Sequence, residues 1–131
     1  MSEEPSLPVT PPPDRPTVLV VDDEEDLRDI MSRILTRGGF APLTAADVGP
    51  AIEVCREHPG TIDILVTDLT LPGGSGTELS RLALEMRPQM RVIFISGLPQ
   101  EMAEAEGLIP PGSVLIKKPF SRADLLAALK E

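Results

Sequence analysis

Four short runs of this chain are apolar without interruption: Val18-Leu19-Val20-Val21, Ile64-Leu65-Val66, Val92-Ile93-Phe94-Ile95 and Val114-Leu115-Ile116. A strand with one wet face alternates apolar and polar residues, so runs this short and unbroken describe strands covered on both faces. The segments between them carry apolar residues at helical spacing. Strand and helix therefore alternate, which restricts the chain to a parallel sheet clothed by helices on its two sides.

Taken in order, Thr17 to Val21 reads as a first strand, stopped by the acidic loop Asp22-Asp23-Glu24-Glu25-Asp26. Leu27, Ile30, Met31, Ile34 and Leu35 then fall on one helix face, and Gly38-Gly39 ends that helix. A weaker second strand, Phe40 to Ala45, contains Pro42, which cannot donate to a ladder and belongs on a sheet edge. Asp47 can cap a helix with Val48, Ala51, Ile52 and Cys55 on one face, stopped by Pro59-Gly60. The third strand, Ile62 to Thr67, delivers Asp68 to a loop that turns through Pro72, Gly73 and Gly74; Ser75-Gly76-Thr77-Glu78 is a capping box, with Leu79, Leu82, Ala83 and Met86 as the face of the helix it opens.

After the fourth strand, ending at Ser96-Gly97, residues 99–107 form a short helix with a thin apolar face of Met102, Ala103 and Ala105. The fifth strand leads into Lys117-Lys118-Pro119-Phe120, and a last helix from Ser121 turns Leu125, Leu126 and Leu129 inward. Right-handed crossovers favour a doubly wound five-stranded sheet in the order 2-1-3-4-5. Residues 1–16, with six prolines among small and acidic residues, read as a disordered or polyproline tail or linker, and 17–131 as one domain.

Several function classes are excluded by composition. Within these 131 residues no second catalytic or DNA-binding domain is expected, and a net charge of -9 opposes a nucleic-acid surface. Without Trp or Tyr, and with three Phe, it has no aromatic platform for bases. No apolar run approaches the roughly 18 residues of a membrane span, and the acidic, proline-rich start is unlike a secretory signal, so no membrane insertion is expected and the cytoplasm is the default compartment. The lone Cys55 sits at an apolar helical position as a core filler.

In an open parallel sheet, ligands bind at the carboxyl ends of the strands, near the switch in strand order. Those ends carry Asp22 and Asp23, Asp68, Ser96 and Lys118. Singly, each has an ordinary explanation: Asp23 serves equally well as a helix cap, Ser96 as a strand-end hydroxyl, Lys117 or Lys118 as a solvated charge. Together, three carboxylates at one mouth repel by about 4 kcal/mol per close pair at 4 Å and an effective dielectric near 20. Oxygen donors without His or Cys suit a hard cation such as Mg²⁺, which binds one or two carboxylates and a phosphoryl group. Asp68, at the centre, is then the natural nucleophile toward phosphorus, with Mg²⁺, Lys118 and Ser96 each able to take one equatorial oxygen.

The ordered set Val20-Val21-Asp22-Asp23, Val66-Thr67-Asp68 with Pro72-Gly73, Phe94-Ile95-Ser96-Gly97 and Lys118-Pro119-Phe120 resembles the receiver domain of two-component response regulators, over about residues 17–130. The resemblance implies a flavodoxin-like receiver fold in which Asp68 accepts a phosphoryl group from a phosphohistidine on a sensor histidine kinase or a histidine phosphotransfer protein. It implies that Asp23, Asp68 and the backbone carbonyl of Thr70 bind Mg²⁺ directly, with Asp22 acting largely through water. Lys118 matches the family lysine, before a proline whose bond is usually cis, and Ser96 matches the hydroxyl that moves toward the phosphate. Such a module catalyses only its own phosphorylation and dephosphorylation, and signals to a downstream protein or passes the phosphate onward. The Ser96-Gly97 pair and the Lys118-to-Ser121 ending resemble receivers of hybrid histidine kinases, and a free-standing regulator fits as well.

One departure bears on signalling. The family often has an aromatic residue three positions before the lysine, and here Leu115 stands there. That keeps open a phosphate-independent receiver acting as an interaction module. A haloacid-dehalogenase-type phosphatase wants a second acid two residues after the nucleophile, where Thr70 stands, and a mononucleotide binder wants a phosphate-cradling first loop, which here is acidic. On the first helix, a charge at Leu27 or Ile30 is expected to harm folding, and changes at Arg28 or Arg33 to alter partner choice alone.

Overall fold

The computed structural model describes residues 15–130; of the expected proline-rich tail, all but Arg15 and Pro16 lies outside the described residues. The elements are β1 (Thr17–Val21), α1 (Glu25–Arg37), β2 (Ala41–Ala45), α2 (Val48–Glu57), β3 (Ile64–Asp68), β4 (Thr70–Leu71), β5 (Gly74–Ser75), α3 (Gly76–Met86), β6 (Arg91–Ser96), α4 (Gln100–Ala105), β7 (Val114–Lys117) and α5 (Arg122–Lys130). The main sheet is wholly parallel in the order β2-β1-β3-β6-β7, the doubly wound arrangement with strand two on its edge. Pro42 pairs with Val18 on that edge strand, where its missing N–H costs no second ladder.

The period of two along each inner strand divides its side chains between two cores. Val18, Val20, Ile64, Val66, Ile93 and Ile95 pack with Met31 and Leu35 of α1 and Leu125 and Leu129 of α5. Leu19, Val21 and Leu65 face the other way, against Ala51 and Cys55 of α2 and Leu79 and Ala83 of α3. Cys55 is 2% exposed, in its core-filling place. A smaller cluster of Leu69, Phe94, Ala103 and Ile109, with Leu115 against it, seats α4.

Helix ends follow their local chemistry. Gly39 takes φ +94° after α1, a conformation that costs glycine little. Ser75 Oγ accepts the Glu78 N–H, so only the forward half of the expected capping box is formed. At α5 the reciprocal pair is complete: Ser121 and Asp124 each accept the other's backbone N–H. Arg87, just past α3, donates Nε to the Cys55 carbonyl, Nη1 to Gly60 and Nη2 to His58, satisfying carbonyls at the end of α2 and in the loop beyond it.

Several expectations are corrected. Ile30 is 51% exposed rather than part of the buried face of α1, because Met31 and Leu35 already fill the space against the sheet. Met86, Met102 and Ala105 also lie outward, leaving Ala103 as the one buried residue of α4. Phe40 precedes β2 as a buried plug whose N–H bonds the Leu35 carbonyl, and β3 begins at Ile64 rather than Ile62 and runs on to Asp68. The Pro72-Gly73 turn was expected to lead straight to a helix; it closes a hairpin of β4 and β5, with Thr70 opposite Ser75 and Leu71 opposite Gly74.

Candidate functional site

The carboxyl ends of β1, β3, β6 and β7 converge, and with them the residues anticipated there. One oxygen from each of Asp22, Asp23 and Asp68 lies within 4.8 Å of the others. Lys118 Nζ stands 3.0 Å from Asp68 Oδ2 and 3.4 Å from Asp22 Oδ2. Its main chain is fixed as well: the Lys118 N–H donates to the Ser96 carbonyl at 2.8 Å, and the Lys118–Pro119 peptide is cis.

Each carboxylate has a different surrounding. Asp22 is fully buried; its Oδ1 accepts the Glu24 N–H at 2.8 Å, and its own N–H donates to the Ala45 carbonyl of β2. Asp23 is exposed and free of the capping role open to it, since α1 starts after Glu24 and no side chain caps it. Asp68 keeps 13% of its side chain exposed, and its Oδ1 faces the Thr70 N–H at 3.4 Å. Burial pushes the Asp22 carboxyl above its ordinary range, with the Asp68 charge adding to that, against the opposing pull of the Glu24 N–H and Lys118. Burial alone would lower Lys118, but the hydrogen bond and charge of Asp68, then those of Asp22, outweigh it and hold the ammonium above the usual lysine value.

One ammonium against three carboxylates leaves the mouth negative. The donor set is oxygen only, with one member open to solvent, which fits a hard divalent cation that keeps some of its water. Thr70, on β4, is exposed next to this cluster. Ser96 is buried at the end of β6, where its Oγ accepts the Leu98 N–H at 3.0 Å. Lys117 is exposed and outside the cluster, which separates it from Lys118.

Three contacts around the site were not anticipated. Arg28 is not a free surface charge: its Nη1 donates to the Asp22 carbonyl at 2.6 Å. Asp47 Oδ1 accepts the Gly73 N–H in addition to capping α2. Gly76 lies so close beneath the Asp68 carbonyl oxygen that a Cβ there would overlap it. The Pro-Gly turn is a legible turn signal; the Asp47–Gly73 contact joins segments 26 residues apart and has no local signature, whereas Arg28 reaches the Asp22 carbonyl across the short loop between β1 and α1, whose path the residue types alone do not fix.

Comparison with known proteins agrees with this geometry. The family model for the response regulator receiver domain matches residues 18–130. The sensory transduction protein RegX3 of Mycobacterium tuberculosis is 33% identical over 87% of this chain and 49% of its own length. The chain spans about half the length of several curated relatives it matches. Among solved structures, the receiver domain of the hybrid histidine kinase CckA superposes with a TM-score of 0.73 at 31% identity, covering 87% of this chain and 95% of that one. A chain of the CheX–CheY–BeF3–Mg²⁺ complex from Borrelia burgdorferi gives 0.76 at 33% identity, covering 87% and 86%.

Proposed function

The chain belongs to the response regulator receiver domain family of two-component systems, and from that premise we propose that Asp68 is its phosphoacceptor, charged by a phosphohistidine of a sensor histidine kinase or a histidine phosphotransfer protein. The observation that carries this reading is the Lys118 ammonium 3.0 Å from one oxygen of Asp68, at a mouth shared with Asp22 and Asp23. An Asp68 oxygen attacks phosphorus, the N–P bond of the donor breaks, and its electron pair returns to the imidazole nitrogen, leaving an acyl phosphate. Lys118 neutralises one phosphoryl oxygen. Ser96 reaches a second by giving up its bond from Leu98. Asp22, Asp23, Asp68 and the Thr70 carbonyl would hold Mg²⁺, which when bound neutralises charge on the transferring group. That the similar Borrelia complex contains BeF3 and Mg²⁺ supports the same ligands here.

In this reading residues 17–131 are the receiver and 1–16 its lead-in. The module acts in the cytoplasm as a phosphoacceptor rather than a turnover enzyme, catalysing only its own phosphorylation and dephosphorylation, and signals to a downstream protein or onward phosphotransfer partner rather than to nucleic acid or membrane. None of the described helices is long and apolar enough to cross a membrane. A second reading, a phosphate-independent interaction module, is favoured by Leu115 alone, which packs against the aliphatic cluster of Leu69, Ala103 and Ile109 beside Phe94 and offers no ring to rotate. Intact-mass analysis after incubation with acetyl phosphate separates the two. A single Mg²⁺-dependent phosphoryl adduct, absent in Asp68→Ala, is expected; no adduct together with no Mg²⁺-beryllofluoride complex would favour the second reading.

A further inference from the structure

The two walls of the cation mouth hang from one short segment, residues 45–47. On one side the Ala45 carbonyl accepts the Asp22 N–H at 3.2 Å. On the other, Asp47 Oδ1 accepts the N–H of Gly73 at 2.9 Å while holding that of Val48 at 2.8 Å. Asp47 and Gly73 are 26 residues apart, and a Cβ on Gly73 would stand 2.6 Å from Asp47 Oδ2, so the hairpin is seated against the carboxylate without slack. A cap needs one acceptor atom at the helix start. A carboxylate that also grips another loop does something beyond capping.

What it grips carries Thr70. Pairing of Thr70 with Ser75 and of Leu71 with Gly74 makes β4 and β5 one unit, and buried Leu71 anchors that unit in the core on the α2 side. The Gly76 N–H bonds the Leu69 carbonyl and closes the base of the hairpin. Its tip, Pro72-Gly73, is fixed by Asp47. A hairpin held at base and tip is braced against rocking, and with it the backbone of Thr70, whose N–H faces Asp68 Oδ1 at 3.4 Å.

We propose that Asp47 is a positioning residue for the cation site: by anchoring Gly73 it presets the β4–β5 hairpin and the Thr70 carbonyl, so that Mg²⁺ meets a formed site rather than one it must assemble. The inference rests on the phosphoacceptor reading, in which Thr70 supplies a ligand. Preorganised outer contacts of this kind raise metal affinity because the ordering cost is met on folding.

Asp47→Ser keeps a capping hydroxyl for α2 but is one atom short of bridging to Gly73, Asp47→Asn keeps both acceptor contacts, and Gly73→Ala sets a Cβ against the Asp47 carboxylate so that the tip and that carboxylate must part. Mg²⁺ affinity is measured by calorimetry, amide exchange at Gly73 by NMR, and folding by circular dichroism. Asp47→Ser and Gly73→Ala are expected to weaken Mg²⁺ binding on the order of tenfold, and to speed Gly73 exchange by up to about tenfold, the equivalent of one hydrogen bond, with helix content unchanged. Asp47→Asn should restore both readouts. Unchanged Mg²⁺ affinity in Asp47→Ser would overturn the proposal alone. Equal weakening in Asp47→Asn would assign the effect to lost negative charge and also overturn it. No Mg²⁺ binding by the unaltered chain would overturn the phosphoacceptor reading and this inference with it.

Discussion

Gly76 and Asp22 show how tightly single residues constrain this mouth. A Cβ at position 76 would press on the Asp68 carbonyl oxygen, which is backbone and cannot swing aside as a flexible side chain would. Gly76→Ala is therefore expected to destabilise the protein by about 1–3 kcal/mol, and to reduce acetyl-phosphate labelling of Asp68 more than that loss explains. Urea melts and intact mass on the same samples check both. Asp22 carries the opposite kind of strain, since burial raises its carboxyl above 3.8 in the folded chain. A raised acid contributes stability below its unfolded value and loses it as pH rises through the folded value. Without metal, stability from this group thus falls as pH climbs above about 4, and Asp22→Asn should remove that fall, making the metal-free protein more stable at pH 7 while weakening Mg²⁺ binding. Urea melts in chelator between pH 4 and 7 measure the difference between the two proteins; an Asp22→Asn variant less stable at every pH would contradict it.

At the level of elements, faces decide the outcome. On α1, Met31 is fully buried and Ile30 half exposed, although they are adjacent in one apolar pattern. Met31→Ala should cost about 2–5 kcal/mol as a core truncation, whereas Ile30→Glu should stay within about 0.5 kcal/mol; equal losses in chemical denaturation would place both in the core. The helical period marks a stripe, and Ile30 lies on its margin, where only the width of the neighbouring packing decides burial. The loop after α2 makes a second case. Arg87 satisfies three carbonyls there with a fork that lysine cannot reproduce. Burial first, and then the Arg87 charge, lower His58 below 6.5. A base depressed on folding contributes stability above its unfolded value and loses it as pH falls toward the folded one. Arg87→Gln should move the His58 titration upward in NMR and flatten that loss below about pH 6.5; an unmoved His58 would leave burial as the sole cause.

For the whole molecule, the legible parts were those encoded locally. Unbroken apolar runs at Val18–Val21, Ile64–Val66 and Val92–Ile95 announced a doubly covered sheet, Pro42 its edge, and the strand-end residues Asp22, Asp23, Asp68, Ser96 and Lys118 their common mouth. Asp47 on Gly73 was not legible, because it joins segments whose distance depends on the finished packing, and Arg28 on the Asp22 carbonyl depends on the path of the short loop between β1 and α1. The same convergence makes folding and cation binding one equilibrium. The acidic cluster exists only when β1 and β3 are paired, so a cation that binds it favours the folded chain over the unfolded one. At a hundred times its dissociation constant Mg²⁺ should add about 2.7 kcal/mol to stability. Ordinary salt is the control, because screening at about 0.15 M acts on the exposed charges of this -9 chain but reaches buried Asp22 poorly. Thermal melts in chelator, in Mg²⁺, and in NaCl of equal ionic strength should therefore separate, with Mg²⁺ highest. Asp23→Asn should bring the Mg²⁺ melt down to the NaCl melt, since it removes the one carboxylate of the cluster that lies open to solvent and that accepts no hydrogen bond or ion pair among the described residues. If Mg²⁺ and NaCl raise the melting temperature equally in the unaltered chain, the carboxylates are relieved by screening alone and the mouth is not a cation site.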